Sequence, residues 1–209
     1  MNKNQKESIV YWIGEKLYLN ITNKCSNSCR FCIKNFRRGL SGFKLELSKE
    51  PTNTQVIEAL KEVMNTKNWN EIVFCGFGEP TERLDLLLEV TTWIKRHYGK
   101  PLRFRVNTNG QGYLLNPGRQ VVKELKKAGI NMVSVSLNAS EEKTYTDICQ
   151  PKLDNAYFSV IDFIKIAKKE LEVEVTAVTT EEVNQKKIVE TADKLGVKFR
   201  KREYVPCIF

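Results

Sequence analysis

The stretch NMVSVSLN, residues 131–138, alternates apolar and polar side chains at every step from Val133 onward. Val133, Val135 and Leu137 fall on one face, and Ser134, Ser136 and Asn138 on the other. A period of two over so short a run predicts a strand with one buried and one polar face. Outward from it the pattern recurs. In LRFRVNT (102–108) Leu102, Phe104 and Val106 alternate with Arg103, Arg105 and Asn107, and in LEVEVTAVT (171–179) Val173, Val175 and Ala177 alternate with Glu172, Glu174 and Thr176. KLYLNIT (16–22) and KFRKREYV (198–205) repeat it, and EIVFCG (71–76) reads as a further strand.

Helical periodicity fills the gaps, at about 53–65, 81–98, 117–128, 140–148, 155–169 and 182–195. Thr52 and Gln55 form a capping-box pair, and Gly129 and Gly196 stand where left-handed helix stops are expected. Alternating strands and helices predict an α/β fold with parallel strands joined by right-handed crossovers. Doubly wound sheets bury both faces of their strands, and these strands are half polar. The expectation is a partial, open (βα)6 barrel, a single domain over 1–209, with a polar lumen. Six units are too few for the closed eight-stranded barrel.

The 209 residues carry 34 Lys and Arg against 25 Asp and Glu, a net charge of +9. The surplus favours an acidic partner. No apolar run reaches the roughly 18 residues of a membrane span, and the N-terminus lacks the apolar segment of a signal peptide, so a cytoplasmic protein is expected.

KCSNSCRFCIKN (24–35) follows the first strand and holds three of the six cysteines, at C-x3-C-x2-C. Loops after barrel strands gather at one rim, where such folds carry their chemistry. Three soft thiolates there suit zinc or iron–sulfur. Structural zinc wants four ligands, and the one histidine, His97, reads as a solvated helix-end residue. Three cysteines without a fourth fit a [4Fe–4S] cluster with one open iron, although a distant cysteine could close the site. Cys75 reads as a small core residue; Cys149 and Cys207 could approach the rim. The segment 36–51, with Gly39 and Gly42, reads as a mobile rim loop carrying Arg37 and Arg38. Arg103, Arg105, Lys198, Arg200 and Arg202 would line the lumen, with Glu172 and Glu174 as available partners. An unneutralised surplus there predicts an anionic substrate, phosphorylated or nucleotide-type.

The run Cys25, Cys29, Phe31, Cys32 resembles the signature of the radical S-adenosylmethionine (radical SAM) enzymes. The resemblance implies that Cys25, Cys29 and Cys32 bind three irons and that S-adenosylmethionine chelates the fourth. It implies reductive cleavage to methionine and a 5′-deoxyadenosyl radical, which abstracts hydrogen from a substrate. Gly76, Gly78, Glu79 and Pro80 in GFGEP resemble the element that contacts the methionine amino group, with Glu79 accepting from the ammonium. Asn107 and Asn109 in NTNG, with Ser134, Ser136 and Asn138, resemble positions that hold ribose and carboxylate; many family members have an acid where Asn138 stands. The wider pattern, YW-x-G-x-KLYLNITN-x-C, FCIKN, GFGEPT, NTNG, VSVSLNA and Y-x-x-x-CQP, resembles the small TatD-associated radical SAM proteins. That implies a functional link to a TatD-type hydrolase, a reductant such as flavodoxin or ferredoxin, and no auxiliary-cluster domain. Two other readings are a glycyl-radical activase acting on a partner protein and a non-catalytic metal-binding interaction module. A nucleic-acid-binding module would need basic and aromatic residues interleaved on one surface.

Overall fold

The computed structural model describes residues 6–204. Its main sheet has seven strands in the order β1 (Val10–Ile13), β2 (Lys16–Leu19), β5 (Glu71–Phe74), β6 (Arg103–Thr108), β7 (Met132–Ser136), β8 (Glu172–Val178) and β9 (Lys198–Arg202). From β2 to β9 every neighbouring pair is parallel, and β1 and β9 are unjoined edges, so the barrel is open.

Each crossover carries at least one helix: α1 (Asn53–Val63), α2 (Leu84–His97), α3 (Gly112–Leu115) with α4 (Val121–Ala128), α5 (Glu142–Cys149) with α6 (Ala156–Ala167), and α7 (Gln185–Leu195). The buried sides of these helices share one core with Leu17, Leu19, Ile72, Phe74, Phe104, Val106, Val133, Val135, Val173 and Val175. These are the apolar positions of the alternation, so the polar positions face the lumen. The capping box forms at α1, where Gln55 N donates to Thr52 Oγ1 at 3.2 Å and Thr52 N to Gln55 Oε1 at 2.9 Å. Gly129 at φ +113° and Gly196 at φ +67° end α4 and α7 as expected.

Two elements differ from expectation. β1 pairs antiparallel with β2 through a turn at Gly14, φ +61°, and adds an edge strand to the parallel six. The rim segment expected to be mobile holds a small hairpin, β3 (Gly39–Leu40) and β4 (Phe43–Lys44), turned at Ser41 and Gly42. Leu40, Phe43 and Leu45 pack with Tyr11, Phe77, Tyr18 and Ile33 in a second, smaller cluster. Apolar burial therefore fixes this loop against the sheet. Cys207 and the expected strand end at Val205 lie outside the described residues.

Candidate active site

The cysteine loop leaves the end of β2 and is tied on two sides. On one side Glu79 N donates to Lys24 O at 2.7 Å, bringing the GFGEP loop beneath Cys25. A Cβ on Gly78 would lie 2.3 Å from Lys24 O, and one on Gly76 would lie 1.9 Å from Asn20 Oδ1. These glycines allow close approach of the GFGEP loop to the backbone of Lys24 and the side chain of Asn20. On the other side the end of α5 straps the loop. Its terminal carbonyls, which have no helical partners of their own, take Ser28 N (to Cys149 O, 3.1 Å) and Arg30 N (to Ile148 O, 3.0 Å). Lys152 N donates to Ser26 O at 2.8 Å, and Lys152 Nζ to Cys25 O at 3.0 Å. Asn27 Nδ2 and Gln111 Nε2 both donate to the buried Tyr145 hydroxyl, at 3.1 and 3.0 Å, and Gln111 Nε2 also reaches Asn27 Oδ1 at 2.7 Å.

The three thiols are half-buried, and Cys29 lies within electrostatic range of both Cys25 and Cys32. Burial pushes Cys25 up to about 12 and raises Cys32. A hydrogen bond from the Cys149 thiol holds Cys29 below its ordinary value, and the same bond raises the buried Cys149. Among the described residues no three His, Cys, Asp or Glu side chains close on a single ion. A cluster of several irons, each taking one thiolate, fits the soft donor set that this loop offers.

Glu79 is buried at the centre of the site. Its Oε1 accepts from Thr81 N (3.1 Å), Thr81 Oγ1 (2.6 Å) and Thr108 Oγ1 (2.8 Å), and its Oε2 from Asn109 N (2.6 Å). Desolvation outweighs these donors and raises its pKa. Oε2 keeps room for one further donor, such as an ammonium. Asn109 is used internally: Nδ2 donates to Ser26 Oγ at 2.8 Å and lies 3.9 Å from Cys25 Sγ, while Oδ1 accepts from Gln111 N at 3.0 Å. Asn138, at φ +57°, accepts from Val178 N at 3.3 Å and directs Nδ2 to Ser136 O at 3.4 Å and Cys149 Sγ at 3.9 Å. Both asparagines brace the rim. Asn107, in contrast, has a buried Oδ1 with no partner among the described residues. Pro80 is buried and opens a 3-10 turn, and Phe31 packs at the core's edge.

Cys75 is a correction to the sequence reading. It is half-buried, outside the core cluster, and within electrostatic range of Arg202 on the polar side of the sheet. On that side the charges mostly pair: Arg103 with Glu172 (2.5 Å), Arg105 and Lys16 with Glu71 (3.2 and 3.0 Å), and Arg200 with Glu174 (2.8 Å). Ser134 Oγ donates to Glu174 at 2.9 Å, and Arg202 Nη2 donates to Ser136 Oγ at 3.3 Å. Lys198 is solvent-exposed at the far end of β9.

No helix among the described residues is long and apolar enough to cross a membrane. An uncharacterised protein of Methanocaldococcus jannaschii is 26% identical over 182 residues, covering 85% of this chain and 52% of that protein. A probable GTP 3′,8-cyclase of Saccharolobus islandicus is 31% identical over 154 residues, 73% of this chain and 43% of the relative. The chain thus spans about half, or less, of the length of these curated relatives. The crystal structure of Streptococcus suis SuiB bound to S-adenosylmethionine superposes with a TM-score of 0.67 at 17% identity, over 93% of this chain and 41% of that one. The model of the Radical SAM superfamily matches residues 19–195. The chain belongs to that superfamily of enzymes, whose shared cofactors are a [4Fe–4S] cluster and S-adenosylmethionine.

Proposed function

We propose that Cys25, Cys29 and Cys32 hold the [4Fe–4S] cluster and that the rim around Glu79 and the polar face of β6–β7 hold S-adenosylmethionine. The observation that carries this reading is the convergence of the strand-end cysteine loop with Glu79, whose Oε2 retains an acceptor position beside that loop. When bound and reduced, the cluster would supply the electron for reductive cleavage of S-adenosylmethionine, the chemistry that opens hydrogen abstraction from a substrate. Glu79 accepts from the amino group of the methionine moiety. Asn107, with its unpartnered Oδ1, and Ser136 face the ribose and carboxylate. Phe31, Gly76, Gly78, Pro80, Asn109, Ser134 and Asn138 shape and brace this surface.

The substrate is anionic, phosphorylated or nucleotide-type. Among the described residues Lys16, Arg103 and Arg105 share Glu71 and Glu172 as ion-pair partners, three cations to two anions, which leaves a cationic surplus around the buried Arg105. The name of the probable GTP 3′,8-cyclase relative points to the same ligand class. The cysteine, GFGEPT and CQP motifs favour a functional link to a TatD-type hydrolase and reduction by a flavodoxin or ferredoxin.

The test is anaerobic reconstitution with iron and sulfide. The expected product is a brown protein with about four irons that releases 5′-deoxyadenosine under reductant, and loses both properties on Cys25→Ala, Cys29→Ala or Cys32→Ala. Full iron and cleavage in those variants overturn the assignment. Deuterium transfer from candidate substrates into 5′-deoxyadenosine identifies the substrate. If its binding ignores ionic strength, or survives loss of Arg200 and Arg202, the anionic reading is wrong.

A further inference from the structure

Arg202 ends β9 at the level of the cysteine loop. Among the described residues it is the lumen arginine with no carboxylate beside it, since Arg103, Arg105 and Arg200 each have one. Its Nη2 donates to Ser136 Oγ at 3.3 Å, and its buried Nε has no partner among the described residues. A guanidinium does not shed its proton to escape burial, so this charge needs a counter-charge. Desolvation and the neighbouring Arg200 both work against it. The bonds around it lead to sulfur: Asn138 Nδ2 reaches both the carbonyl of the same Ser136 (3.4 Å) and Cys149 Sγ (3.9 Å), and Cys149 O takes Ser28 N of the cysteine loop. Cys75, Cys29 and Cys149 all lie within its electrostatic range. Neutral thiols cannot supply the missing charge.

We propose that Arg202, held by Ser136, is the counter-cation of the iron–sulfur cluster and raises its reduction potential. The inference rests on the assignment of Cys25, Cys29 and Cys32 as the cluster's ligands. A cluster bound by three thiolates is an anion, and accepting an electron makes it more so. A fixed cation within range therefore stabilises the reduced form more than the oxidised one. Lys34 also favours the Cys25 and Cys32 thiolates and is half-buried as Arg202 is, but it sits on the short turn of the cysteine loop itself and not on the sheet. Arg200 is largely cancelled by Glu174. Arg202 is the charge fixed on the sheet, with its buried Nε unpartnered among the described residues, and it is a positioning and tuning group rather than a catalytic one.

The experiment is a potentiometric titration of the reconstituted protein, followed by electron paramagnetic resonance, without S-adenosylmethionine and then with it. Arg202→Gln is expected to keep its iron but to be reduced about tenfold less favourably, a shift of about 59 mV for one electron. Arg202→Lys should recover most of that shift, and Ser136→Ala should move it the same way by less. A Gln variant with wild-type potential in the ligand-free cluster overturns the proposal, including the case where only S-adenosylmethionine affinity falls, which would make Arg202 a ligand anchor. If the Gln variant does not fold, a wild-type potential in Ser136→Ala is the overturning result. Full iron in the cysteine variants would instead overturn the ligand assignment itself, a separate outcome read from iron content.

Discussion

Glu79→Ala removes one carboxylate that accepts from two backbone N–H groups and two threonine hydroxyls. The hydroxyls can rotate to other acceptors, but Thr81 N and Asn109 N cannot, and both bonds are buried. Each orphaned buried donor costs about 1–3 kcal/mol. Relief from burying the carboxylate offsets part of this, so a net loss of about 2–4 kcal/mol is expected. For a chain of this size 1 kcal/mol moves Tm by about 2–4 °C, so thermal unfolding should shift down by roughly 5–15 °C. The pH dependence has a definite sign. Burial raises the Glu79 pKa in the folded state, so the native protein holds this proton more tightly than the unfolded chain. The side chain's stabilising share is full below its unfolded value and declines as pH rises through the folded one. The gap between wild type and Glu79→Ala should therefore narrow as pH rises above the usual carboxylate range. Circular dichroism melts across pH, with hydrogen exchange of the peptides holding Thr81 and Asn109, make the measurement. A Tm within about 2 °C of wild type, with unchanged protection at those amides, would refute the reasoning.

Gly78→Ala would put a Cβ 2.3 Å from Lys24 O and 2.5 Å from Thr22 O, backbone atoms with nowhere to go. A cost of about 1–3 kcal/mol is expected, along with slowed iron uptake during reconstitution. Tyr145→Phe removes the shared acceptor of Asn27 Nδ2 and Gln111 Nε2. It should cost about 1–3 kcal/mol and lower protection of residues 26–30 in hydrogen exchange. Thr52→Ala deletes the capping box of α1, whose two bonds join only Thr52 and Gln55. A loss of about 1 kcal/mol with unchanged iron content is the expected result, read from urea melts and iron analysis.

The parallel strands were legible because half of each is polar, and the helix stops because Gly129 and Gly196 mark them. What escaped reading had physical reasons. In EIVFC the residues of β5 are buried on both faces, so parity gave no sign that Cys75 faces away from the core. The hairpin of β3 and β4 pairs only two residues a side, too short to show a period, and Ser41 carries a positive φ that its residue type does not announce. β1 is a four-residue apolar segment whose only signal was Gly14 before a second strand. In the site, the cysteines, GFGEP and NTNG stood out by spacing and by strand-end position. The internal engagement of Asn109 and Asn138 was not visible, because their partners lie far off in sequence, at Ser26 and Val178. Tyr145 and the CQP segment had no role until folding brought α5 against the cysteine loop.

That strap links two processes. Ser28 N and Arg30 N satisfy the terminal carbonyls of α5, and those carbonyls in turn fix the path of the loop between Cys25 and Cys32. Neither segment is complete without the other, since an unpaired helix end and an unpaired loop each leave polar backbone to be satisfied elsewhere. Any group that binds the ordered loop therefore stabilises the end of α5 by the same free energy, through mass action on the folded form. The reverse also holds: a loosened α5 reduces the population of loop able to bind. On the opposite side Glu79 does the same between β5 and β6, through Thr108 and Asn109 to Ser26. The cysteine loop carries little regular structure of its own, yet it is held by hydrogen bonds from both flanks. The geometry of its thiols is thus a property of the barrel rim as a whole.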